Sequence, residues 1–149
     1  MKTTMINDSP LKARLDSLDA DDRMNALQEL AARPPQPFPP AKREVNLHAH
    51  TTYSYNPYGY APAKFAWLAK EYGLAVAGIV DFDVLDGIDE FHRAGALLDL
   101  RTCASIESRV FVPEFAERVI NSPGEPGIAY HMGVGFTSSR VPAEAAAFL

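Results

Sequence analysis

The residues with the clearest chemical potential are two histidines, His48 and His50, which end a segment predicted to be a strand, Arg43–His50. Side chains at positions i and i+2 of a strand point to the same face, roughly 6.6 Å apart along the backbone. Two imidazoles placed in this way can bind one cation at about 2.0–2.1 Å. The His-x-His spacing alone is weak evidence, and a structural role for both histidines is an equal alternative.

Two more residues of metal-binding type follow in later predicted strands. Glu107 ends the third strand, where an apolar segment does not ordinarily place an unpaired carboxylate. His131 lies within the fourth predicted strand. Because the C-terminal ends of parallel strands share one rim in α/β folds, residues far apart in sequence can meet there. The pattern therefore predicts a metal site whose ligands are His48, His50, Glu107 and His131.

Alternating strands and helices are predicted to position these side chains. The predicted strands are Arg43–His50, Leu74–Asp81, Arg101–Glu107 and Ile128–Phe136, and the predicted helices between them are Pro62–Tyr72, Asp86–Leu98 and a short one at Phe115–Ile120. This order implies right-handed βαβ units and a parallel sheet. The 149 residues fall short of the about 250 that a complete (β/α)₈ barrel needs, so the predicted fold is part of an α/β barrel.

Residues 1–40 are predicted to form a helical extension and a proline-rich linker, and residues 41–149 the barrel domain. Apolar residues recur at helical spacing in both predicted helices of the extension: Leu11, Leu15 and Leu18 in the first, and Met24, Leu27 and Leu30 in the second. Asp19 can cap the second helix. Five prolines between Pro34 and Pro40 favour a stiff, extended connector. The simplest role of the extension is to clamp onto the main domain.

Composition restricts the class of protein. The hydrophobic fraction of 47% and the charged fraction of 22% are close to globular averages, which disfavours long disorder. The longest apolar run, Gly73 to Val80, is too short to cross a bilayer, and no secretory signal is visible. The single cysteine fits a reducing compartment, so we expect a cytoplasmic protein without a membrane partner. A net charge of −5 without a lysine and arginine cluster gives no indication of nucleic-acid binding.

Four short motifs also occur in an order known from one protein family. The family's first motif, His-x-His-x-x-x-Ser-x-x-Asp-Gly, is matched by His48, His50 and Ser54 and continues through Asn56 to Gly59. The remaining three are represented by Val80–Gly87, by Glu107, and by His131 with Gly133 and Gly135. Over residues 43 to about 140, the chain resembles the PHP (polymerase and histidinol phosphatase) family of metal-dependent phosphoesterases.

The resemblance implies an incomplete, distorted (β/α)₇ barrel of PHP type with an N-terminal helical extension, from which the C-terminal part of the barrel is absent. It also implies that His48, His50 and Glu107 hold one divalent ion, and that Glu107 bridges to a second ion bound by His131. Two ions of Zn, Mn or Fe are expected. The implied activity is hydrolysis of a small phosphorylated substrate by metal-bound hydroxide, with the alternative that the shortened chain is itself inactive.

Two positions depart from the family pattern. Phe82 stands where the second motif has a metal-binding histidine, and Asn56 stands where the first motif usually has a ligand to the same third ion. Phenylalanine cannot coordinate and a neutral amide is a poor replacement, which favours two ions over three. These losses favour the alternative function, a catalytically degenerate PHP-like barrel that serves as a binding or scaffold domain. Metal-assisted hydrolysis of an amide or another ester in a related barrel is a further alternative.

Three other residues are candidates for supporting roles. Asp81 is predicted to support the site from behind the metal ligands or to cap the end of its strand, and direct ligation of the metal is the alternative. Arg109 can clamp a substrate phosphate, and an ion pair with Glu114 or Glu117 is the alternative. Tyr53 belongs to a tyrosine-rich loop that either contacts the substrate's leaving group or packs on its own rings. Because four parallel strands without closure leave an unpaired edge, we also expect association into a homo-oligomer.

Overall fold

Valine, isoleucine and alanine dominate the segment after Leu74, and this segment forms the most buried strand of the protein. The computed structural model describes residues 9–33 and 37–147, and in it strand β2, Val76–Phe82, is buried at its five central positions. An apolar run without polar alternation is typical of a strand that is covered on both faces. The prediction of a buried strand here is confirmed.

The described elements alternate as predicted as far as the third strand. The helices are α1 Ser9–Arg14, α2 Ala20–Ala32, α3 Pro62–Tyr72, α4 Ile88–Leu97 and α5 Ala143–Ala146, and the other strands are β1 Val45–Asn46, β3 Arg101–Phe111 and β4 Ile128–Val134. Strands β1, β2 and β3 are neighbours and run parallel. The fold is therefore mixed α/β, with a curled four-stranded half-barrel sheet in the order β1-β2-β3-β4.

The prediction of a fourth parallel strand is wrong, because β4 runs antiparallel to β3. The predicted helix at Phe115–Ile120 is also wrong, since only a 3-10 turn forms there, at Pro113–Phe115. A parallel return needs a crossover, usually an α-helix, that carries the chain back to the start of the sheet. The connection instead folds on itself through a bridge between Val119 and Pro126. The chain consequently re-enters the sheet next to the end of β3.

Strand β1 is shorter than the predicted Arg43–His50, but the chain stays beside β2 after the strand ends. The amide of Val80 donates to the carbonyl of Ala49 at 2.9 Å. Between the end of β1 and Ala49, Leu47 passes close to Gly78 of β2. A Cβ on that glycine would lie 2.8 Å from the Leu47 Cα. Real Cβ contacts are essentially never that short, so glycine is required for this crossing. It brings the chain around His48 against β2.

The N-terminal helices pack on the same hydrophobic core as the sheet. Leu27 and Leu30 are fully buried in it, as predicted, and the Asp19 carboxylate accepts hydrogen bonds from two amides at the start of α2. Leu18 is fully exposed because α1 ends at Arg14, so its predicted packing is wrong. The predictions for residues 1–8, for Pro34 and Pro35 in the linker and for residues 148–149 lie outside the described residues.

A buried ion pair joins α2 to α4. Arg23 Nε donates to Glu90 Oε1 at 2.8 Å, and its Nη2 contacts the second carboxylate oxygen. The same carboxylate accepts the amide of Ala63, in the first turn of α3, at 3.1 Å. The hydrogen bonds that the Arg23 guanidinium donates to Glu90 raise the pKa of that guanidinium above its ordinary value. Three helices therefore depend on one charge pair.

None of the helices among the described residues has the length and apolar character that a membrane crossing needs.

Candidate metal centre

His48, His50 and Glu107 come together at one edge of the sheet. One potential ligand atom from each lies within 4.8 Å of the other two. The Glu107 Oε2 atom is 3.4 Å from His48 Nε2 and 3.6 Å from His50 Nε2. His48 is half-exposed, His50 is largely covered and Glu107 is buried. The cluster is therefore open to solvent on the His48 side.

Three neighbouring segments build this cluster. Glu107 lies on β3 opposite Phe82 of β2, so both occupy the same face of the sheet, which we call the site face. The two histidines follow β1, which is the next strand over. Glu107 does not end its strand as predicted, because β3 continues to Phe111, but it lies where the parallel pairing of β3 with β2 ends, at the same rim as the end of β2.

The donor atoms fit a divalent cation. Two imidazole nitrogens and one carboxylate oxygen are the ligand set of several catalytic zinc sites, and imidazole also suits iron. The Glu107 side chain has lost most contact with water. An ionised carboxylate in such a place is costly unless it is paired with positive charge. A cation between Glu107 and the two imidazoles would provide that charge.

A chain of hydrogen bonds favours one tautomer of a neutral His50 ring. The buried Asp81 carboxylate accepts the Ser54 hydroxyl proton at 2.6 Å, and the Ser54 Oγ atom lies 3.3 Å from His50 Nδ1. Since the hydroxyl proton points to Asp81, the oxygen is left to accept from Nδ1–H. The proton on Nδ1 leaves a lone pair on Nε2, which is the nitrogen near Glu107.

Asp81 also holds the loop that follows the two histidines. Its carboxylate accepts the amide of Thr51 at 2.6 Å and the Thr51 hydroxyl at 2.7 Å. It contributes no atom to the three-residue cluster. Asp81 therefore contacts Ser54 and Thr51 directly and is linked to His50 only through Ser54.

We expect Ser54→Ala to weaken metal binding by about 10- to 100-fold, the range found for residues that orient metal ligands. The substitution removes the acceptor that keeps the proton on His50 Nδ1. Metal affinity measured by competition with a chelator checks this result. Ser108→Ala is the matched control, because Ser108 is a buried serine outside the cluster. Equal affinity in both variants would contradict a role for Ser54.

Phe82 and Asn56 both support the chain around His50. The Phe82 ring stacks on the His50 ring with centroids 4.5 Å apart. The Asn56 side chain donates to the His50 carbonyl and accepts the amide of Tyr58 at 2.8 Å. The Phe82 ring therefore covers one side of the His50 ring, and the Asn56 amide links the loop at Tyr58 to the His50 backbone.

His131 is not brought to this cluster. It lies opposite Ser108 on β3, whereas Glu107 lies opposite Met132. Because successive side chains of a strand point to opposite faces, His131 faces away from the site face. The side chain is also exposed. Of the four metal ligands expected from sequence, three come together. The fourth, His131, is kept out of the cluster by the register of the antiparallel strand β4.

Arg109 and Tyr53 lie outside the cluster. Arg109 forms an ion pair with Glu125, rather than with the acidic residues closer in sequence. Tyr53 donates its amide to Thr51 Oγ1 at 3.2 Å, and its ring is next to Gly87. Arg109 is two residues from Glu107 on β3 and so shares the site face, but neither Arg109 nor Tyr53 belongs to the three-residue cluster.

A pocket next to the cluster was only partly foreseen from sequence. It has a volume of about 350 Å³, and His48 and His50 form part of its wall. Of the four tyrosines in the loop over residues 53–60, Tyr55, Tyr58 and Tyr60 line the pocket and Tyr53 does not. The closely spaced tyrosines are the sequence signal for this pocket. The contribution of Phe65, on α3, to the pocket lining depends on tertiary packing.

None of the family models, curated proteins or solved structures compared with this chain matches it significantly.

Proposed function

We propose that the protein is a metal-dependent hydrolase of phosphate esters that holds one divalent cation of zinc, manganese or iron through His48, His50 and Glu107. The observation that carries the proposal is the convergence of these three ligand atoms within 4.8 Å around a buried carboxylate. The motif order that resembles PHP phosphoesterases supports the choice of phosphate esters. We propose one ion rather than two, because His131, the expected ligand of a second ion, faces away from the site face.

The charges of the ligands favour an anionic substrate. Two neutral imidazoles and one carboxylate leave a divalent site with a net positive charge, despite the net charge of −5 on the whole chain. When bound, the cation would supply Lewis acidity and make a coordinated water more acidic. Three protein ligands are typical of catalytic rather than closed structural sites, which have four. The half-exposed His48 side leaves access for substrate.

The test measures the release of phosphate from a phosphate ester. The protein is first stripped of metal and then reloaded separately with Zn²⁺, Mn²⁺ or Fe²⁺. We expect activity with at least one of these ions, and almost none in the stripped protein or in Glu107→Gln loaded in the same way. His131→Ala is the matched control and should retain activity. Release that persists in stripped protein or in Glu107→Gln would contradict the proposed centre.

One observation favours a second candidate, a metal-binding scaffold without turnover. Arg109, the side chain expected to clamp phosphate, is engaged with Glu125. In that case the protein would bind one ion through the same three residues but release no phosphate. The two candidates are separated by measuring metal content and turnover on the same preparation.

A further inference from the structure

The pocket next to the metal centre has the chemistry of a site for a flat, uncharged ring. It is lined by the rings of Tyr55, Tyr58, Tyr60 and Phe65, which we call the aromatic wall, and by the two histidines. The remaining lining residues are alanine, proline and asparagine, so no residue in the wall carries a fixed charge. Such a lining recognises shape and an aromatic face rather than an ion.

Much aromatic surface in this pocket is exposed to water. Tyr55 is 72% exposed and Tyr58 is 73% exposed. Tyr58 stacks on Tyr60 with ring centroids 5.5 Å apart, which gives the wall two nearly parallel rings. Aromatic rings gain from offset or edge contacts with another ring in addition to the area they bury. An aromatic group of a ligand would therefore be favoured there.

The aromatic wall is held in a defined position relative to the metal ligands. The Asn56 side chain bonds both the His50 carbonyl and the amide of Tyr58. A backbone hydrogen bond of 3.0 Å from Thr52 to Tyr60 closes the base of the loop. A ligand bound at His48 and His50 would thus meet the rings without a rearrangement of the loop.

We infer that the protein acts on phosphate monoesters whose leaving alcohol carries an aromatic ring, with the ring bound between Tyr58 and the histidines. This inference rests on the proposed function. In the reaction, the oxygen of water forms a bond to phosphorus and the bond from phosphorus to the alcohol oxygen breaks. The alcohol oxygen keeps that electron pair and receives a proton from the water, so the products are the free alcohol and inorganic phosphate.

The experiment compares 2-phenylethyl phosphate with ethyl phosphate, because both release primary alcohols and only one carries a distant ring. We expect kcat/KM to favour 2-phenylethyl phosphate by about tenfold or more, as one aromatic contact plus its buried area allows. Tyr58→Ala should bring this ratio close to one. Phe115→Ala is the control, since Phe115 is a partly exposed aromatic residue outside the pocket, and it should keep the wild-type ratio.

A second measurement separates failure of this inference from failure of the proposed function. Metal-free protein is titrated with 2-phenylethanol, and the tyrosine ring signals are followed by NMR. Shifts that disappear in Tyr58→Ala would support binding of an aromatic alcohol in the pocket even if no ester is hydrolysed, and absence of hydrolysis would then overturn the proposed function and the reaction inferred from it. Hydrolysis of both esters at equal kcat/KM, without shifts, would overturn the pocket and leave the function standing. Self-association that blocks the alcohol would assign the pocket to a protein contact and also overturn the inference.

Discussion

Replacing His48 with alanine should lower the affinity for a divalent cation by more than about 100-fold, because even residues that only orient a ligand contribute 10- to 100-fold. Glu107→Gln should have an effect at least as large. It removes the only charged ligand of the cluster and keeps the volume of the side chain. Metal content after dialysis, measured by elemental analysis, and chelator competition both check these results.

His131→Ala is the decisive control for this prediction. The motif order in the sequence makes His131 a ligand, whereas the strand register points it away from Glu107. We expect His131→Ala to keep the full metal content. A loss of metal in this variant, or full metal content in His48→Ala, would show that the ion is bound elsewhere than in the three-residue cluster.

Replacing Arg23 with methionine should lower the free energy of unfolding by about 3–5 kcal/mol, the usual cost of removing one partner from a buried ion pair. Both side chains of the pair are about 5% exposed or less, so Glu90 would keep a buried charge without its partner. Urea denaturation followed by circular dichroism measures the loss. Since the pair joins α2 to α4, the extension should also become more susceptible to proteolysis.

Two comparisons test whether this loss comes from the unpaired charge. Arg23→Met combined with Glu90→Leu should recover part of the stability, since apolar replacement of both partners is often tolerated. Recovery should be incomplete, because the amide of Ala63 loses its acceptor. Arg14→Met removes an exposed arginine from its ion pair with Asp22 and should change stability little. An equal loss in Arg14→Met and Arg23→Met would contradict the role assigned to burial.

The local patterns of the sequence were sufficient for most of the individual elements. Asp19 was recognised as a helix cap because a carboxylate before a helix satisfies free amides of its first turn. The apolar run after Leu74 was recognised as a buried strand because it lacks polar alternation. Parallel pairing of the first three strands followed from the helices between them. These features depend on neighbours along the chain, which the sequence displays directly.

The direction of β4 could not be predicted in the same way. It depends on how residues 112–127 fold back on themselves, and that path is set by contacts such as the bridge between Val119 and Pro126. The face of the sheet on which a histidine lies cannot be assigned until the partner strand and its register are known. The role of His131 therefore depended on a pairing that the sequence does not specify.

The sequence by itself determined which residues can do chemistry here, since His48, His50 and Glu107 were identifiable from residue type and from their positions at predicted strand ends. Only the tertiary structure decided which of the candidates meet. Parallel strands carried these three to one rim within 4.8 Å, and an antiparallel return turned His131 to the other face. The physical reason is that a metal site requires ligand atoms a few ångströms apart, and separation along a chain constrains that distance only between near neighbours.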